Sequence, residues 1–158
     1  MIILGIDPWT TTTGFAITKK EWIKISLIEY WILKTIPKIS IDLKLLEIWT
    51  DIRTLIDKFA PDLVAIEKLY FTNNIKTWID VAESRGVIIY ESMRNNIQIQ
   101  EYTPLEVKKA ITGNWKATKI QMQNAIKILF QLNEIPKPDD VADAIWISYI
   151  WALNLKTK

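Results

Sequence analysis

Cysteine and histidine are absent from this chain of 158 residues, and glycine occurs only 4 times. Without cysteine no disulfide framework can form. With neither residue present, carboxylates are the only metal ligands on offer, and oxygen-only ligation favours Mg²⁺ or Mn²⁺ over Zn²⁺. Long apolar runs are missing too. None approaches the roughly eighteen residues of a membrane span, and the N-terminus passes straight into an apolar strand without the charged-then-apolar layout of a signal peptide. A cytoplasmic protein is expected. Glycine falls short of the roughly 11 that an average content of about 7% implies at this length. Tryptophan, in contrast, occurs 8 times, so that the two types together make 12.

What is present suits one folded domain spanning residues 1–158. The chain is 49% hydrophobic, which is enough to bury a core at this length. No repeat, low-complexity tract or linker divides it. Two short apolar runs each end in a carboxylate: Ile2-Ile3-Leu4-Gly5-Ile6 closes on Asp7, and Leu63-Val64-Ala65-Ile66 closes on Glu67. Such runs read as strands buried on both faces. If the two lie parallel, their C-terminal ends form the edge where open α/β sheets place their sites, and the acids converge. A third acidic element, Asp139-Asp140-Val141-Ala142-Asp143, opens an apolar helix and sets Asp140 and Asp143 on one face. Each acid alone could be a helix cap or a surface group. Together they read as a metal site, because clustered carboxylates repel unless a cation neutralises them. Setting these four aside leaves 14 acids against 20 bases, a surplus that suits a phosphate-rich partner.

Along the chain, the first strand is followed by expected strands over 11–19 and 23–35, with Lys19-Lys20-Glu21 as a hairpin turn. Helical spacing runs from Ile41 to Phe59 with Pro61 beyond it, and the Glu67 strand follows. Residues 75–94 predict a helix with one stripe at Ile75, Ile79, Ala82, Gly86, Ile89 and Met93, taken to face the sheet. A second, partial stripe at Trp78, Val81 and Ile88 is left as an exposed surface for an isologous dimer. A strand over 97–102, short helices over 104–111 and 118–130, and a last helix over 139–153 complete the pattern. Thr118 and Gln121 are placed as a capping box.

This order of elements resembles the ribonuclease H-like fold, a five-stranded mixed α/β sheet flanked by helices. The motifs narrow it. Gly5-Ile6-Asp7-Pro8 with Thr13-Gly14, Ala65-Ile66-Glu67, Asn74, Arg85-Gly86-Val87, Tyr102-Thr103-Pro104-Leu105-Glu106-Val107-Lys108 and Pro138-Asp139-Asp140-Val141-Ala142-Asp143-Ala144 resemble the RuvC family of Holliday junction resolvases over nearly the whole chain. The resemblance implies a homodimeric endonuclease that cuts four-way DNA junctions in pairs during recombination and repair, beside a RuvAB branch-migration complex. It implies Asp7, Glu67, Asp140 and Asp143 as catalytic ligands of two Mg²⁺ ions, with Mn²⁺ able to substitute. Such ions activate a water and stabilise the leaving 3′ oxygen. Of the lysines at 108, 109, 116 and 119, it carries over Lys108 and Lys119 as phosphate contacts. Tyr70 is implied to stack on an unpaired base at the junction centre. Asp139 is read as a capping or charge-tuning residue.

The family pattern has glycine where this chain has Trp9, Trp31 and Trp115. Trp9 directly follows Asp7-Pro8, where glycine would reach positive φ and admit a phosphate. Taken with the composition, this suggests glycine codons misread as tryptophan through a reassigned stop codon. The alternative is a truly tryptophan-rich variant. Three other functions compete with a DNA junction resolvase: a junction binder impaired in catalysis, a ribonuclease H-like nuclease acting on structured RNA, and a domain like those of the actin and sugar-kinase group. The last needs two such domains, and the length supplies one.

Overall fold

The computed structural model describes residues 1–69, 75–114 and 116–154. Five strands form one mixed sheet: β1 (Ile2–Asp7), β2 (Thr12–Glu21), β3 (Lys24–Lys34), β4 (Leu63–Glu67) and β5 (Gln98–Tyr102), in the order β3-β2-β1-β4-β5. The first three run as an antiparallel meander, while β4 and β5 add in parallel beside β1. Parallel pairing needs a crossover. α1 (Ile41–Phe59) and α2 (Ile75–Arg94) provide those leading to β4 and β5.

Helices cover both faces, which is why β1 and β4 are continuously apolar. On one face, Leu4, Ile6, Phe15, Ile17, Val64 and Ile66 pack with Ile48, Ile52, Leu55 and Ile56 of α1 and Ile88 of α2. On the other, Ile3, Ala16, Leu63 and Ala65 pack under α5 (Asp139–Asn154), together with Val107 of α3 (Pro104–Thr112) and Met122 and Ile126 of α4 (Lys119–Leu129). α5 lies unusually close to the sheet. A Cβ at Gly5 would collide with the Ala144 carbonyl, and one at Gly14 with the Asp140 backbone. Glycine at these two strand positions therefore sets how near the acidic start of α5 comes to the end of β1.

Two expectations need correction. The β2–β3 hairpin turns at Trp22-Ile23, not at Lys19-Lys20-Glu21, because β2 stays paired through Glu21↔Lys24. The two stripes of α2 are also exchanged. Val81 and Ile88 are buried, whereas Ile79 and Met93 are more than half exposed. The buried stripe is Val81, Ser84, Ile88 and Ser92, and its serines donate back to the carbonyls of Asp80 and Ile88. A hydroxyl satisfied within its own helix packs like a small apolar group, so the core face of α2 is less hydrophobic in sequence than its outer face. Buried Glu91 extends that face, accepting from Trp49 Nε1 at 2.7 Å and from Asn95 Nδ2 at 3.1 Å.

Candidate active site

Asp7 ends β1 and Glu67 ends β4, and the parallel register Ile6↔Ile66 places the two acids side by side at the C-terminal edge. The first turns of α5 carry Asp140 and Asp143 over the same edge. Asp7 is only 3% exposed. Burial raises its pKa well above the usual carboxylate value, and the charges of Glu67, Asp143 and Asp140 push it further in the same direction. Its carboxyl hydrogen-bonds Glu67, which is itself raised by burial and then by the Asp143 charge. Asp143 is raised chiefly by burial, with Lys119 opposing. The structure therefore brings all four acids into one electrostatic neighbourhood.

Their donor chemistry fits a divalent cation, since four clustered carboxylates whose repulsion Lys119 and Lys108 offset only in part form an electrostatic sink for one. As they stand, however, the acids pair off. Among the described residues no three are grouped as ligands of one ion. Asp7 bonds Glu67, Asp140 Oδ2 accepts from Thr12 Oγ1 at 3.0 Å, and Asp143 Oδ2 lies 3.9 Å from Lys119 Nζ.

The basic residues arrive on two capped helices. At α3, Thr103 and Glu106 form a reciprocal capping box, and at α4 Thr118 and Gln121 form another, so the expected box at Thr118 is present. Lys119 is the first residue of α4, where the helix dipole disfavours a cation. Asp139 offsets this: its Oδ2 lies 2.9 Å from Lys119 Nζ, and its Oδ1 accepts from Gln123 Nε2 at 2.7 Å. Burial works against the Lys119 charge, yet the Asp139 hydrogen bond and the Asp143 and Asp139 charges leave its pKa raised. Lys108 and Lys119 line a cavity of about 180 Å³ with Glu67, Asp143, Val107, Met122 and Ile147. Both lysines thus share a wall with two of the acids.

Tyr70, Asn74 and Trp115 lie outside the described residues. Trp9 is described, and its backbone is not left-handed, so the expectation that the turn after Pro8 requires glycine for φ does not hold here. Its ring instead lies 6.1 Å from that of Trp78 on α2. Sequence reasoning assigned no role to two residues that touch the site. Thr12 reaches Asp140 from the start of β2, and Arg85 donates from Nε to the Glu67 carbonyl at 3.3 Å while its guanidinium pairs with Glu101 of β5. Alternation along β2 puts Thr12 on the face of Gly14, which was the available signal. Arg85 lay in a quoted motif without an assigned partner.

The family model described as crossover junction endodeoxyribonuclease RuvC matches residues 3–150. The chain belongs to the RuvC family. A RuvC of Halothermothrix orenii is 45% identical over 148 residues, covering 94% of this chain and 90% of that one. The RuvC of Caldicellulosiruptor saccharolyticus is 44% identical, covering 98% and 93%. Thermus thermophilus RuvC in complex with a Holliday junction substrate superposes with a TM-score of 0.88 at 25% identity, over 95% of this chain and 92% of that one. The fowlpox virus resolvase shares the fold, with a TM-score of 0.66 at 15% identity. The ribonuclease H-like architecture read from the order of elements is thus the observed one.

Proposed function

We infer that this RuvC-family chain is a structure-selective endonuclease that resolves four-way DNA junctions by paired, metal-dependent phosphodiester hydrolysis in recombination and repair. The observation that carries the mechanism is the convergence of Asp7 and Glu67, at the ends of adjacent parallel strands, with Asp140 and Asp143 on the helix above them. These four would hold two Mg²⁺ ions, or Mn²⁺ in their place. Bound there, the ions supply an activated water and charge stabilisation at the leaving 3′ oxygen. Asp7 and Glu67 must give up their shared hydrogen bond for that state to form. Lys108 and Lys119 meet phosphates flanking the scissile bond, and Asp139 holds Lys119 at the mouth of the cavity. Tyr70 stacks on an unpaired base.

Residues 1–158 act as one nuclease domain, in the cytoplasm, with a RuvAB complex as branch-migration partner. Among the described residues no helix is long and apolar enough to cross a membrane. Two related cuts call for two subunits. The surface that supports a homodimer is the outer face of α2, where Ile79, Tyr90 and Met93 are exposed and Tyr90 lines a groove with Leu46 of α1, rather than the Val81 and Ile88 stripe.

A side-by-side assay with Mg²⁺ on a synthetic four-way DNA junction, the matching linear duplex and a structured RNA tests the substrate. Paired nicks in the junction alone are expected. Preferential cutting of the RNA, or binding of the junction without cleavage, would overturn the reading.

A further inference from the structure

We propose that Thr12 is a positioning residue for the metal site, holding Asp140 in the orientation that a cation requires; this rests on the metal-dependent reading above. Thr12 opens β2, and its hydroxyl donates to Asp140 Oδ2 at 3.0 Å across a separation of 128 residues. Its backbone neighbourhood is fixed independently. Thr12 pairs with Lys34 of β3, Thr13 Oγ1 donates to the Trp9 carbonyl at 2.7 Å, and two residues along, Gly14 lies against the Asp140 backbone. The donor is thus part of the sheet, and the acceptor is on a helix pressed onto it. A hydroxyl aimed at one carboxylate oxygen restricts rotation of the group and leaves its remaining lone pairs for a cation. It is neutral, so it does not compete as a lysine would. Hydrogen-bonded partners of ligating carboxylates typically alter metal affinity about 10- to 100-fold when removed.

Direct Mn²⁺ titration by calorimetry, without DNA, reads this apart from cleavage. Thr12→Val keeps a β-branched residue in the strand and deletes only the donor; Thr12→Ala is a second hydroxyl-free variant should the first not fold. Both should weaken Mn²⁺ binding about 10-fold or more, with cleavage recovering as metal is raised, and Thr12→Ser should restore affinity. Wild-type affinity in both hydroxyl-free variants, or a Thr12→Ser as weak as they are, overturns the inference. A wild-type chain that binds no Mn²⁺ removes the metal-dependent reading and this inference with it.

A separate observation concerns the tryptophans. Trp22 occupies the first loop position of the two-residue hairpin closed by Glu21↔Lys24, with φ of 57° and 84% exposure. This is a position taken by glycine, asparagine or aspartate, and a bulky residue there is a conformational outlier. With 4 glycines against 8 tryptophans, we infer that glycine stands at this position in the organism's own protein, through a TGA codon read there as glycine. The gene should carry TGA at Trp22, and mass spectrometry of the native protein should read glycine there. Trp22→Gly in the chain as written should raise Tm by several degrees. A TGG codon at this position, or tryptophan in the native peptide, overturns the inference.

Discussion

Of the four acids at the site, Asp7 is the most deeply buried. Burial and then three neighbouring acids raise its pKa, so the folded chain holds this proton more tightly than the unfolded chain does. The resulting penalty is absent below the ordinary carboxylate range and grows as pH rises through the raised folded value. With metal chelated, Asp7→Asn should leave Tm unchanged at the acidic end. At neutral pH it should stabilise the fold, read as a Tm above that of the unsubstituted chain. A gain independent of pH would show that the carboxylates do not strain one another. Lys108 and Lys119 make a different kind of claim. Replacing either by alanine should lower the slope of log affinity for junction DNA against log salt by about 1. An unchanged slope would return them to ordinary surface lysines.

At the level of elements, the strands and most of the helices were legible from short apolar runs, helical spacing and capping residues, because each is a local signal. α2 was not. Its core stripe is interrupted by Ser84 and Ser92, whose hydroxyls are satisfied by carbonyls of their own helix, and its outer face carries the larger apolar residues. Hydrophobicity alone therefore chose the wrong face. The β2–β3 turn was misplaced for a related reason: Lys19-Lys20-Glu21 looks like a loop, but Lys19 pairs with Glu21 and Lys20 Nζ reaches the Ala152 carbonyl, which keeps the strand going. The corrected face yields its own prediction. Met93→Glu or Ile79→Glu should give a folded monomer in sedimentation that no longer makes paired cuts, whereas Ile88→Glu should unfold the chain, since Ile88 is fully buried. Retained dimerisation in both exposed-face variants would place the contact elsewhere.

For the molecule as a whole, the sequence carried the site further than the packing around it. Asp7 and Glu67 could be paired because each closes an apolar strand, and Asp140 and Asp143 because they open an apolar helix. What brings the helix to the strands is a contact invisible to periodicity, the approach of α5 over Gly5 and Gly14. Thr12 and Arg85 depend on that same approach and on the β4–β5 edge, so they emerged only with the tertiary structure. In the proposed function, the four carboxylates form one metal-dependent hydrolytic site. A Mg²⁺ titration of junction cleavage, run on wild-type and Asp7→Asn protein with junction binding measured in parallel, tests it most directly. Wild type is expected to give saturable, Mg²⁺-dependent paired nicking, and Asp7→Asn no detectable nicking at any Mg²⁺ concentration while junction binding is equal or tighter. Near-normal cleavage by Asp7→Asn, or wild-type cleavage that persists in excess chelator, would contradict it.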